Sequence, residues 1–414
     1  MRARLQDTYL KYPRQFWLLF FGMLISMVGG SMVWPFMMIY TTENLDVKLT
    51  VAASLMTLNS AAGLVASFLA GPVIDRFGRK WIMVSSLFLN GISYIFLGNA
   101  SSFSSFAVLM TMNGIAQPLY RIGGDAMLAD MLPPAKRPDG YALLRMSSNL
   151  GVAIGPAIGG FLAATSYTMA FYGAAIGMSL YAILLAVFAV ETLPKLDPAE
   201  QKLRKEAFGG YSSILRDKPF MSFVATFTMV IMVAVLVWVL LPVYAKQNFQ
   251  IPENVYGWLP TTNAVMVVLF QVAVTSRTKR YPTLPVMAAG AGFYTIAVAS
   301  VAFGDRFLAF WISMVILTIG ELILIPTANS YVANLAPIDK RGRYMSIFCL
   351  SWRVAIGIGP IFGGLLHDNL HPKAIWLGGA ILGLASTLLF LLLQKFDVQR
   401  LTKQETEFFG SERH

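Results

Sequence analysis

Five polar side chains stand out in two long and mainly apolar stretches of this chain. Asn113, Gln117, Arg121 and Asp125 follow one another at intervals of four within the apolar stretch 105–131. On a helix that spacing makes one line, drifting by about 40° per step. Glu321 lies in a second stretch, 307–334, as the only acid within the apolar stretches of the second half of the chain. The chemistry open to these types is proton transfer. Desolvation disfavours the charged form of a carboxyl in apolar surroundings, and an approaching guanidinium restores it. Glu321 is therefore a candidate proton carrier; the competing reading is a protonated carboxyl hydrogen-bonded for packing. Arg121 sits near the middle of its stretch, roughly 13 Å from Asp130 at the end. A central charge costs about 2.5–3.5 kcal/mol in a bilayer, so Arg121 must face water or a partner. Asp125, one turn away, is the nearest candidate partner, and a self-satisfied ion pair that moves no proton is the alternative.

The elements that must position these groups are membrane spans. The chain has 414 residues, of which 56% are hydrophobic and 13% charged. Soluble domains carry about 25% charged residues, so the composition implies an integral membrane protein. Apolar runs long enough to cross a bilayer recur throughout. They fall near 16–39, 50–72, 81–98, 105–131, 141–164, 168–190, 219–244, 254–275, 284–302, 307–334, 344–367 and 374–394. The expected fold is an all-α membrane protein of twelve spans in two six-helix, pseudo-symmetric halves, 1–190 and 219–394. A linker, 191–218, joins them and a tail, 395–414, follows.

The net charge of +11 is a matter of topology and not a sign of nucleic-acid binding. About 25 of the 32 Lys and Arg residues fall in the termini and alternate loops, which the positive-inside rule places in the cytoplasm with both termini. That basic face meets anionic lipid. Cys349 is the only cysteine, so no intrachain disulfide is available. The polar, basic start runs into an apolar stretch too long for a signal-peptide core, so the first span is expected to be retained. No residue pattern suggests a nucleotide fold, a metal, a cofactor or an enzyme's catalytic constellation, and driving energy must come from an ion gradient or from the substrate.

The halves are repeats. A shift of 204 residues without a gap lays Ala129, Pro133, Lys136 and Arg137 on Ala333, Pro337, Lys340 and Arg341. It also lays Ile154, Gly155, Pro156 and Gly159 on Ile358, Gly359, Pro360 and Gly363, and places Glu321 on Gln117. Gly151, Gly155 and Gly159 form a bare stripe in span 5, with Pro156 and Gly160 beside it, where another backbone can approach. The stripe is either a packing face or a sliding surface between the halves. Arg145 and Arg353 complete the cations within spans; they pair with acids, attract an anionic substrate or lie near lipid phosphates.

Between spans 2 and 3 stands the run Gly71-Pro-Val-Ile-Asp75-Arg76-Phe-Gly78-Arg79-Lys80. It resembles, at every signature position, the G-x-x-x-D-R-x-G-R-[RK] loop of the major facilitator superfamily. The resemblance implies that Asp75 and Arg79 interact with Asp130 and with helix 11 to lock the outward-open state. The span 5 run Gly151–Gly160 resembles a signature of proton-driven antiporters, although its echo in span 11 would also follow from duplication. The segment around Arg121 is similar to the helix 4 arginine signature of drug:proton antiporters, with Asp125 in place of a glycine. Gly320-Glu321 followed by Pro326 resembles a helix 10 pattern of multidrug members. The resemblance implies a monomeric, multi-pass protein of a bacterial or archaeal cell membrane that exports amphipathic small molecules against protons. A symporter or facilitator for an anionic metabolite is the nearest alternative, and a non-transporting sensor a more distant one.

Overall fold

The computed structural model describes residues 12–193, 211–336 and 340–411. Every regular element among them is helical. In chain order these are α1 (Arg14–Val33), α2 (Met37–Leu45), α3 (Leu49–Phe77), α4 (Arg79–Leu97), α5 (Phe103–Met131), α6 (Arg137–Thr165) and α7 (Tyr167–Phe188). Then follow α8 (Tyr211–Leu215), α9 (Lys218–Phe249), α10 (Glu253–Tyr256), α11 (Trp258–Thr278), α12 (Thr283–Val301), α13 (Phe307–Leu335), α14 (Arg341–Asn369) and α15 (Ala374–Ser411). A 3-10 turn, Trp34–Phe36, separates α1 from α2 at Pro35, whose missing N–H interrupts the α-helical ladder.

Eleven spans among the described residues are long and apolar enough to cross a membrane. The stretch expected as span 4 is absent from that set although α5 is 29 residues long. Its polar line, Asn113, Gln117, Arg121 and Asp125, lowers its hydropathy. Most helices outrun the predicted apolar stretches: α3 reaches Phe77, not 72, and α9 reaches Phe249, not 244. Polar last turns carry charged side chains beyond the apolar stretch.

The 204-residue repeat extends to the helix ends. The helices α4 and α12, α5 and α13, and α6 and α14 begin and end in register at that offset. Arg14–Leu45 and Lys218–Phe249 match in the same way. Asp46 and Gln250, also 204 apart, are the non-glycine residues with positive φ among those described, at 49° and 53°. Pro337, one of the repeat residues, and most of the linker, 194–210, lie outside the described residues, as do 412–414 of the tail.

The chain forms two compact units, one of Met1–Lys205 with Trp238–Val265 and one of Glu206–Val237 with Met266–His414. Residues 238–265 thus group with the first six spans, unlike the six-and-six division of the sequence. In the first unit α1 packs on α6 and α7, α3 on α5, and α4 on α5 and α7. Phe16, Leu19, Met83, Leu87, Leu128 and Leu185 form its core near one end of the helices. In the second unit α12 packs on α13 and α15. Phe223 there lies 4.7 Å from Tyr331 and 6.1 Å from Phe390 between ring centres.

Candidate functional site

Arg79 opens α4 and is buried, at 3% exposure. Its Nη1 donates to Asp75 Oδ1 at 2.7 Å, and its Nε donates to Asp130 Oδ2 at 3.0 Å. The last turn of α3 supplies Asp75, the first turn of α4 supplies Arg79, and the last turn of α5 supplies Asp130. Three expected residues therefore meet in one cluster at one end of the first unit. A buried guanidinium held by two carboxylates is strongly dependent on both, because removing one partner leaves charge uncompensated.

Arg76 and Lys80 point elsewhere. Arg76 lies 5.3 Å from the ring centre of Phe77, and Lys80 lies 5.0 Å from that of Trp81. Both rings are exposed, at 60% and 58%, as suits an aromatic belt at a membrane interface. Gly71 is half-buried within α3, directly before Pro72.

Two further residues complete the cluster. Glu191, just past α7, accepts the backbone N–H of Arg79 at 2.9 Å and of Lys80 at 3.1 Å. Its carboxylate satisfies donors that the first turn of a helix leaves open, where negative charge is also favoured. Thr192 Oγ1 donates to Asp130 Oδ2 at 3.2 Å. Nothing local in the sequence marks either residue, since their partners lie 112 and 62 positions away. Gly78 is required twice over. Its φ of +93° disfavours any side chain, and an added Cβ would stand 2.4 Å from Glu191 Oε2.

The polar line of α5 stays on one face. Gln117 and Arg121 are exposed, while Asn113 and Asp125 are half-buried. Asn59 of α3 donates to the Asn113 carboxamide oxygen at 3.4 Å and to the Met110 carbonyl at 2.8 Å. The expected Arg121–Asp125 ion pair is not among those formed by the described residues. Tyr141 of α6 instead donates to the backbone carbonyl of Asp125 at 3.0 Å.

In the second unit Glu321 is half-buried on α13. Beside it α12 and α13 come close: a Cβ on Gly320 would lie 2.6 Å from the Tyr294 ring and 2.8 Å from the Gly290 carbonyl oxygen. Arg145 is exposed on α6 and Arg353 half-buried on α14.

The glycine stripe of span 5 faces a different neighbour from a sliding surface between halves. Gly151, Gly155 and Gly159 all abut α1, within the same set of six spans: added Cβ atoms would meet Met27, Ser31 and the Met32 carbonyl. Gly160 turns the other way, toward the backbone of Glu253. Four-residue spacing puts the three glycines on one side, and a neighbouring position necessarily on another. Gly359 on α14 is in ordinary contact with Val235 and Met232 of α9. Pro360 is buried and Gly363 lies within the same helix, also buried.

The model of the Major Facilitator Superfamily matches this chain over residues 19–247 and 222–411. The chain belongs to the major facilitator superfamily. Its relatives in this superfamily are transporters of similar length. One, the MFS-type transporter YhjO of Bacillus subtilis, is 24% identical over 90% of this chain and 91% of its own. The multidrug resistance protein MdtH of Escherichia coli O157:H7 is 24% identical over 94% and 97%. A Na(+), Li(+), K(+)/H(+) antiporter of Planococcus maritimus is 27% identical over 80% and 84%. Among solved structures, a POT family transporter superposes with a TM-score of 0.78 at 18% identity, covering 92% of this chain and 96% of that one. As a superfamily member the chain is a multi-pass membrane transporter and not an enzyme.

Proposed function

We propose that this transporter is a proton-coupled exporter of amphipathic small molecules, working by alternating access with twelve spans and both termini in the cytoplasm. The carrying observation is the face of α5 on which Gln117 and Arg121 stay exposed while Asp125 is half-buried. Charge cannot face lipid tails cheaply, so this face lines water. A solute path with a guanidinium and a carboxyl at mid-membrane has the parts needed to move a proton. The positive-inside rule puts the Arg79 cluster on the cytoplasmic side, where it acts as a gate. The names carried by the multidrug and antiporter relatives support export and coupling, and they put monovalent cations among the ions to screen.

Glu321 and Asp125 are the two candidate proton carriers, on α13 and α5. Proton uptake by proteoliposomes on adding substrate tests the reading. Glu321→Gln should abolish coupled export while leaving downhill exchange; Asp125→Asn should do the same if that acid carries the proton. Proton movement equal to wild type in both variants, with export intact, refutes proton coupling through these acids.

A second reading rests on Arg121 and Arg145, both exposed within spans. These suit an anionic metabolite carried inward by symport or facilitation. Collapse of the proton gradient decides between them: accumulation rises for an exporter and falls for a symporter.

A further inference from the structure

A second charge cluster lies at the end of the first unit opposite Arg79. Lys246, in the last turn of α9, reaches both oxygens of Glu43 at 2.9 and 3.0 Å and Glu253 Oε1 at 2.6 Å. The hydroxyl of Tyr167 accepts from Lys246 at 2.8 Å and itself donates to Glu253. The Lys246 ammonium also sits 5.1 Å from the Tyr167 ring centre. One ammonium thus serves two carboxylates, and every partner belongs to a different element: α2, α7, α9 and α10.

Beside the cluster the backbones themselves touch. An added Cβ on Gly160 would stand 2.5 Å from the Glu253 carbonyl oxygen, and one on Gly257 would stand 2.6 Å from that of Pro156. Thr261 Oγ1 donates to the Ala153 carbonyl at 3.0 Å. No side chain separates these segments, so there is no room for a solute between them.

We propose that Lys246, with Glu43, Glu253 and Tyr167, is a charge latch that holds residues 246–261 closed against α2, α6 and α7. The claim that the latch must open in each cycle rests on the transport reading above. Closure by charge does not. The ranking of its members follows from burial. Glu253 is 8% exposed and Glu43 is 39% exposed, so water can replace the ammonium for Glu43 but not for Glu253. Losing Lys246 leaves two carboxylates facing each other, one of them buried without compensation.

The test uses the full chain in detergent, with Cys349→Ser to remove the native thiol and Thr261→Cys as a reporter. Maleimide labelling of that cysteine should be slow in the closed arrangement. Lys246→Met should speed labelling about thirtyfold or more, the low end of what loss of one partner of a desolvated charge pair costs. Glu253→Gln should speed it less and Glu43→Gln least. Combining Lys246→Met with Glu43→Gln and Glu253→Gln removes the repulsion together with the attraction, so labelling should be slower than in Lys246→Met and still faster than the starting rate. Labelling of Lys246→Met at the starting rate overturns the latch. So does a triple variant that labels at the starting rate, because closure would then not need the charges. If Lys246→Met does not purify folded, Lys246→Arg replaces it; Arg should keep labelling slow while Glu253→Gln speeds it, and equal rates overturn the proposal. None of this needs a substrate. Absence of solute counterflow in the wild type would sink the transport reading and leave the latch result standing.

Discussion

The loop at 75–80 and its copy at 279–284 join the same pair of helices in the repeat, and they differ in chemistry. At the offset of 204, Asp75 becomes Lys279, Gly78 becomes Pro282, Arg79 becomes Thr283 and Asp130 becomes Asn334. The helices that follow, α4 and α12, nonetheless start at equivalent residues. In the first copy a glycine at φ +93° hands the chain to a helix whose first N–H groups bind Glu191. In the second, Pro282 at φ −56° does so with no side-chain cap. Helix position therefore does not require the charged cluster. The charges of the first copy are thus not needed to place the helix, and a gate is the role proposed for them.

The largest expected effect comes from Arg79→Thr, which gives the first copy the residue of the second. Breaking a buried ion cluster by removing one member costs about 3–5 kcal/mol, so the melting temperature in detergent and the transport rate should both fall sharply. The reciprocal Thr283→Arg should improve neither, because Lys279 and Asn334 offer no carboxylate. Transport by Arg79→Thr at the wild-type rate would make the two copies equivalent and end the gate reading.

Next in size is Gly78→Ala. A side chain forced into that backbone region costs roughly 1–3 kcal/mol, and here it also meets Glu191. Pro282→Ala should change stability by less than about 1 kcal/mol. Melting curves for both proteins give the comparison directly, and equal shifts would mean that the glycine is incidental.

Glu191→Ala should cost about 0.5–2 kcal/mol, the usual range for losing a helix cap, and should weaken the cluster through Thr192 and Asp130. The smallest effects belong to the backbone positions that the repeat keeps in common. Asp46→Gly and Gln250→Gly relieve a left-handed conformation that costs an ordinary residue roughly 1–2 kcal/mol, less the entropy a glycine adds to the unfolded chain. Both should be neutral or slightly stabilising, and alike; a large difference between them would show that the two turns are under different strain.

These contrasts also explain what could be read from the sequence. Asp75, Gly78 and Arg79 were legible because a short loop confines them and the two helices it joins fix their neighbours. The order of the helices was legible because the hydrophobic pattern is written twice; their polar last turns were not, since the apolar pattern stops before them. Glu191 was not, because a carboxylate at the edge of a polar linker looks like any solvated charge until α7 brings it back to α4. Lys246, Glu43 and Glu253 escaped for the same reason: each lies at a span end, where charge is ordinary. The span 5 stripe announced a close approach correctly but not its partner, since bare glycines carry no information about which helix will fill them. The Arg121–Asp125 pair failed because four-residue spacing permits contact without requiring it.

The cap on α4 has a consequence for synthesis. Arg79 emerges 112 residues before Glu191. At roughly 5–20 residues per second, the first turn of α4 waits on the order of 6–20 s for the carboxylate that will bind it. Asp130 arrives midway, so the guanidinium has both its acids before the cap exists. The loop can then take its final form only after the seventh helix has been made, and a ribosome stalled before residue 191 would hold a membrane intermediate with that corner still unfinished.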